Sequence, residues 1–268
     1  MQNLSIDEKS LPLFYKEIYW PLISGEDPNS KSKNSYKTKL KNKKSKSFIL
    51  PHLLKTKKRK IKIFEIGAGD GNIIFKLDDE LKQNNINTQL YACDFSEKAI
   101  NTLKKRNINA VVGDAEDLFK FGKADVLILS HVLEHYSDLN KALFDIKNLL
   151  KEDGLVYVEL PGILDLKNKK DYLYSYQNYN NLGHIHNFSL TTLKNIMAKN
   201  SLRLLEGNEY IKAIFEYGEC DKSKSDYKKV LQSLHEAKKR EEKHYRKYML
   251  INYVKRVIKT ILLKRGYF

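Results

Sequence analysis

Three groups of residues in this chain have types and spacings that could do chemistry. The first is Glu65-Ile66-Gly67-Ala68-Gly69-Asp70-Gly71, directly after a short apolar run. Alternating glycines let a backbone turn sharply and approach a ligand that a Cβ would exclude. The second is a pair of acids, Asp94 and Asp114, each closing an apolar segment. A carboxylate at Asp94 can accept both hydroxyls of a ribose, with Phe95 against a base, and one at Gly113-Asp114-Ala115 can accept an amino group. The third is a set of histidines. Ser130-His131-Val132-Leu133-Glu134-His135 would put residues 131, 134 and 135 on neighbouring positions of one helical turn. Such a set can bind a divalent metal and lower the pKa of a hydroxyl, or Glu134 and His135 can simply pair and hold their loop. His184 and His186, two apart, would share a face if extended, which brings at least one towards a substrate. Imidazole is the natural base near neutral pH.

The elements that must position these groups alternate between strand and helix. Ile61–Ile66, Gln89–Cys93, Ala110–Val112, Asp125–Leu129 and Leu155–Leu160 read as strands, the fourth almost wholly aliphatic, as a strand covered on both faces should be. Helices follow at 72–84, 97–106 capped by Ser96, and 138–150 stopped by Lys151-Glu152-Asp153-Gly154. Strands alternating with helices imply right-handed βαβ units and a parallel sheet. Beyond Pro161-Gly162 comes a polar, tyrosine-rich insert, 162–188, then a helix at 190–199. Two segments, 202–205 and 211–217, flank the turn signal Gly207-Asn208. The expected fold is α/β: a doubly wound, mainly parallel seven-stranded sheet with a terminal antiparallel hairpin and helical N- and C-terminal extensions. Residues 1–60 form an N-terminal segment with an aromatic helix at 13–20 and a basic mobile loop at 29–47. Residues 61–221 form the main domain, and 222–268 a basic amphipathic helical extension with an apolar stripe at 250–262.

The net charge is +16, and it is unevenly placed. Residues 31–62 hold fourteen Lys/Arg and no acid, and 222–268 hold fifteen against four acids, whereas 63–221 are net acidic. Blocks of this kind are solvated or interaction surface, for an anionic membrane or for nucleic acid, or the coding bias of an AT-rich genome. The N-terminus lacks the apolar core of a signal peptide, and no uncharged run approaches the ~20 residues of a membrane span. Two cysteines in no metal-binding spacing fit a reduced, cytoplasmic setting, peripheral to the inner membrane if the basic flanks dock there.

FEIGAGDGN, ACDFSEKA, VVGDAEDL, LILSHVLEH and KEDGLVYVELPG resemble the successive motifs of class I S-adenosylmethionine (SAM)-dependent methyltransferases over residues 61–162. GHIHNFSLTTL resembles a later element of the branch related to ubiquinone-type O-methyltransferases and those of bacterial polysaccharide clusters. The resemblance implies SAM as cofactor. By position, Glu65, Gly67 and Gly69 would hold the methionine moiety, Asp94 the ribose, and Asp114 with Ala115 the adenine. Ala68, Gly71, Phe95 and Ser130 complete the expected cofactor set. His184, His131, His135 and Glu134 are the catalytic candidates, and His131, Glu134 and His135 the candidate ligands of a divalent metal. His186, Tyr176 and Tyr179 are candidates for substrate contact, the tyrosines by stacking on a sugar ring or base. The Asn/Asp-Pro-Pro-Tyr motif of amino-methylating DNA enzymes, a Pro-Cys nucleophile and a paired-Glu loop are all absent. The expectation is therefore an O-methyltransferase acting on a sugar, a nucleotide-linked sugar or another polar small molecule. The alternatives are an N-methyltransferase on an amino-sugar or small amine, an RNA-binding methyltransferase, which is less favoured, or a membrane-docked protein.

Overall fold

Seven strands form one sheet in the order β3-β2-β1-β4-β5-β7-β6 in the computed structural model. They are β1 (Lys60–Ile66), β2 (Asn87–Asp94), β3 (Asn109–Val112), β4 (Ala124–Ser130), β5 (Leu150–Glu159), β6 (Leu202–Gly207) and β7 (Lys212–Tyr217). The structure describes residues 47–169, 172, 176–180, 183–243 and 246, with Ser10 and Leu13. Most of the expected helix at 13–20, the basic loop and the apolar stripe at 250–262 lie outside the described residues.

The first five strands are parallel, and β7 runs antiparallel to both β5 and β6. Helices of the sheet-bearing part among the described residues are α1 (Leu50–Lys55), α2 (Asn72–Gln83), α3 (Glu97–Lys104), α4 (Leu139–Leu149) and α5 (Leu190–Ala198). One sheet face packs Phe64, Leu127, Leu129, Val156 and Val158 against Leu143, Ile146 and Leu193. The other packs Ile63, Val126 and Ile128 against Ile74, Leu77 and Leu81. Strand order reverses between β1 and β4, so their carboxyl ends flank the crevice where folds of this type take ligands.

Two elements differ from the sequence expectation. Strand β5 starts at Leu150 and runs through Lys151-Glu152-Asp153-Gly154, where a break was expected. Leu150 pairs with Ala124, a bulge takes up the register before Val126, and Lys151 Nζ lies 3.0 Å from Asp125, which anchors the polar stretch. Ala115–Phe121, for which the sequence suggested no element, is a 3-10 helix opened by a capping box between Asp114 and Asp117.

The chain divides into two compact units, Met1–Gly162 with Gly183–Ser225, and Ile163–Leu182 with Asp226–Phe268. Part of the tyrosine-rich insert therefore groups with the C-terminal extension. In that second unit a helix α6, at 227–243, contributes Ala237 to a core with Ile163, Leu166 and Tyr179. Ser233 Oγ accepts the Asp165 amide at 2.8 Å. No helix among the described residues is long and apolar enough to cross a membrane.

Candidate active site

Strand β1 delivers Glu65 and Ile66 to the carboxyl edge, and the chain then passes through Gly67, Gly69 and Gly71 at φ of 63°, 50° and 69°. The three glycines do different work. A Cβ on Gly67 would stand 2.6 Å from Val132, and one on Gly71 2.6 Å from Leu103 and 2.8 Å from Phe75, whereas one on Gly69 would meet nothing within 4 Å. Gly71 thus packs the loop against α2 and α3. Gly69 alone faces open space.

Acids frame this loop. Asp94, the last residue of β2, accepts the Gly69 amide on Oδ2 and the Ser96 amide on Oδ1, both at 2.8 Å. Burial raises its pKa, and the Ser96 and Gly69 amides only partly offset the rise. Glu65 accepts the Ile74 amide at 3.2 Å, and burial pushes its carboxyl up to about 8. Asp114 caps the 3-10 helix and accepts the Tyr136 hydroxyl, and burial raises its pKa too. Ala68 and Ala115 are buried, while Phe95 and Val112 remain exposed where β2 and β3 end.

Strand β4 ends at Ser130, and His131 follows at φ 55°, a left-handed conformation uncommon outside glycine. Its amide donates to the Glu159 carbonyl at 2.8 Å, tying it to the end of β5. The 3-10 turn Leu133–His135 starts only afterwards. His131 is therefore not on one helical turn with Glu134 and His135, because its left-handed backbone breaks that turn. Its ring, 54% exposed, lies with Nδ1 3.4 Å from Glu134 Oε1. Burial alone would lower the His131 pKa, but the neighbouring Glu134 carboxylate raises it above the ordinary value.

Glu134 is 1% exposed, and neither carboxylate oxygen has a hydrogen-bond partner among the described residues. His184 Nε2 lies 4.0 Å from Oε1, and the His184 and His135 rings meet edge-on, centroids 5.0 Å apart. The Glu134 carbonyl accepts the amides of Ile185 (2.8 Å) and His186 (3.1 Å), and His135 Nδ1 donates to the Gly183 carbonyl at 2.7 Å. Residues 184 and 186 are not on a strand, and their segment is fixed by Glu134 and its neighbours instead. Burial depresses His184 to about 4, with His135 and His131 pushing the same way against Glu134. One ligand atom each from Glu134, His135 and His184 lies within 4.8 Å of the others, so His184 takes the place in the converging set that sequence had given to His131.

The remaining candidates are placed elsewhere. His186 Nε2 hydrogen-bonds the Tyr136 carbonyl at 2.9 Å. Tyr176 and Tyr179 belong to the second unit, where Tyr179 is a buried core residue rather than an open stacking platform. Sequence reading missed Tyr136, which ties Asp114 to the histidine loop, and Glu159, whose carboxylate takes the Tyr157 hydroxyl (2.8 Å) and Lys212 (3.2 Å) beside His131. For Glu159 a signal existed: an acid closes a buried strand, as at Asp94.

Comparison with known proteins agrees with this architecture. The family described as Methyltransferase domain matches residues 38–206, more than half of the chain. The chain is 30% identical over 101 residues to the ubiquinone/menaquinone biosynthesis C-methyltransferase UbiE of Rickettsia prowazekii, spanning 34% of this chain and 41% of that protein, less than half its length. The fold is similar to that of PH0226 from Pyrococcus horikoshii OT3, with TM-score 0.51 and 19% identity over 75% of this chain and 98% of that one. It is also similar to that of magnesium protoporphyrin IX methyltransferase from Synechocystis PCC 6803, with TM-score 0.50 and 14% identity over 78% and 98%. The chain belongs to the Methyltransferase domain family.

Proposed function

We propose that the chain is an O-methyltransferase that methylates a hydroxyl of a polar small molecule, a sugar or nucleotide-linked sugar foremost. The observation that carries this reading is the His131–Glu134 couple at the sheet edge: a half-exposed imidazole whose Nδ1 faces a buried carboxylate, leaving Nε2 to take a proton. The polar groups beside it, Glu159, Lys212 and Tyr157, suit an acceptor rich in hydroxyls.

The cofactor fits the opposite side of the crevice, because the open space over Gly69 is what an approaching ligand needs. Glu65, Gly67 and Gly69 would hold its methionine moiety, Asp94 the ribose, and Asp114 and Ala115 the adenine, with Phe95 against the base. Each Asp94 oxygen already accepts one amide and retains acceptor capacity for a hydroxyl. When bound, SAM supplies an electrophilic methyl group on a sulfonium. In the transfer the acceptor oxygen would form the new C–O bond as the cofactor's C–S bond breaks, with that bond's electron pair staying on sulfur. His131 takes the hydroxyl proton and returns it to solvent. His184, held neutral by burial to about 4, is too weak a base to compete for that role.

The test is transfer from deuteriomethyl-labelled SAM to a panel of sugars and nucleotide-sugars, read by mass spectrometry and NMR. A labelled O–CH3 group in the product is the expected result. Label on nitrogen with His131→Asn fully active would make an amine the acceptor, since a neutral amine needs no base. Label on carbon would align the chain with its Rickettsia relative.

A further inference from the structure

We propose that Glu134, His135 and His184 bind one divalent first-row transition cation, such as Zn²⁺ or Mn²⁺. Glu134 provides the starting point. A carboxylate 1% exposed with no hydrogen-bond donor on either oxygen among the described residues is an arrangement that folded proteins avoid, because a buried charge needs a partner. The side chains nearest to it are imidazoles rather than a lysine or arginine. The His131 ring stands at 3.4 Å and the His184 ring at 4.0 Å.

The imidazoles are prepared for coordination. A carbonyl oxygen only accepts, so the 2.7 Å contact between His135 Nδ1 and the Gly183 carbonyl places the proton on Nδ1. The lone pair then resides on Nε2, the tautomer that metal-binding histidines reach through the same kind of outer contact. The amides of Ile185 and His186 clamp the Glu134 carbonyl, which holds the segment carrying His184 against the turn carrying Glu134 and His135. Three ligand atoms within 4.8 Å of one another surround a point that a cation occupies after each is drawn in by less than about 1 Å to a bond of ~2.0–2.2 Å.

Two imidazoles and a carboxylate select a transition cation over Ca²⁺ or Mg²⁺, and three protein ligands leave positions open for an acceptor oxygen. His131 stands beside this set without joining it, so a hydroxyl bound to the cation would be more acidic and would have its base alongside. That use rests on the O-methyl reading, whereas the binding itself does not.

The experiment uses the full chain, tag-free, stripped with EDTA and desalted. Mn²⁺ and Zn²⁺ are titrated separately by calorimetry, and retained metal is counted by mass spectrometry after desalting. One cation per chain is expected. Affinity should fall at least about tenfold in Glu134→Gln and in His184→Asn, and stay within about threefold in His131→Asn. Metal-free Glu134→Gln loses a buried charge at constant shape, so it should melt no lower than metal-free wild type, and Zn²⁺ should raise the melting temperature of wild type only. Absence of saturable binding of both cations, or equal affinity in Glu134→Gln, would overturn the site. Cation binding without any transfer to hydroxyls would keep the site and sink the O-methyl reading, and hydroxyl transfer by a chain that binds neither cation when titrated would do the reverse.

Discussion

Oδ2 of Asp94 accepts the amide of Gly69 at 2.8 Å, so the carboxylate that ends β2 also fixes the tip of the glycine loop after β1. Because Oδ1 holds the Ser96 amide at the start of α3, one side chain ties together the glycine loop and α3, the two walls of the proposed cofactor pocket. Asp94→Ala should weaken binding of S-adenosylhomocysteine by about 1–3 kcal/mol in calorimetry, the scale of hydrogen bonds to a charged acceptor. Unchanged affinity in a folded variant would remove Asp94 from the cofactor site.

The glycines separate packing from ligand space. Gly69→Ala adds a Cβ where nothing lies within 4 Å, so its stability cost is the left-handed backbone alone, about 1–2 kcal/mol. Its cofactor binding should nevertheless be lost. Gly71→Ala adds the same strain and drives a methyl into Leu103 and Phe75, for about 2–5 kcal/mol in total. Urea unfolding with cofactor titration distinguishes the two. A Gly69→Ala protein that binds normally would place the ligand elsewhere.

How much of this could be read beforehand follows from what periodicity encodes. The five parallel strands were legible as short apolar runs, β4 almost wholly aliphatic, and most of them end at glycines or acids, as Phe64-Glu65-Ile66-Gly67 does. The hairpin was legible in Gly207-Asn208. The start of β5 was not, because Lys151 and Asp153 look like a turn until Asp125, far along the chain, is placed beside Lys151. The histidine site was legible in composition but not in arrangement. No local pattern announces the φ of 55° at His131, and none joins His184 to Glu134 across the insert. Tyr179 looked like a stacking platform because sequence cannot tell an exposed tyrosine from a buried one.

If Glu65 faces the methionine moiety as proposed, cofactor binding should depend on pH. Its carboxyl is pushed up to about 8 by burial and is therefore protonated in the free protein at neutral pH. The ammonium of the methionine moiety needs the carboxylate, so binding must release that proton below pH 8. Affinity for S-adenosylhomocysteine should rise between pH 6 and 8, by at most about tenfold per unit. Calorimetry in buffers of different ionisation enthalpy should record the released proton. A flat profile without proton release would mean that Glu65 does not face the ammonium.

His184 should appear in stability. Its folded pKa is about 4, while the unfolded chain protonates it near 6.5, so between these values the unfolded state binds the extra proton. Stability contributed by neutral His184 is thus present above pH 6.5 and lost as pH falls towards 4. Metal-free wild type should lose about 1–3 kcal/mol relative to His184→Asn across that window in chemical denaturation. Parallel curves for the two proteins would show that the buried ring is not held neutral.

The last prediction concerns the proton taken from the acceptor. His131 must be neutral to accept it, and Glu134 holds its pKa above the ordinary 6.5 despite burial. The rate should therefore fall on the acid side of a midpoint above 6.5. Glu134→Gln removes the group that raises the pKa and leaves the burial that lowers it, so the midpoint should move down, below that of wild type. His131→Asn should reduce kcat by ~10²–10⁴-fold, the usual worth of general-base help, and leave S-adenosylhomocysteine binding intact. A structural role alone would lower both rate and binding without moving the midpoint. If kcat in His131→Asn matches wild type across the pH range, proton removal is not assisted by this ring. Orientation of the acceptor against the sulfonium would then be the whole contribution of the site.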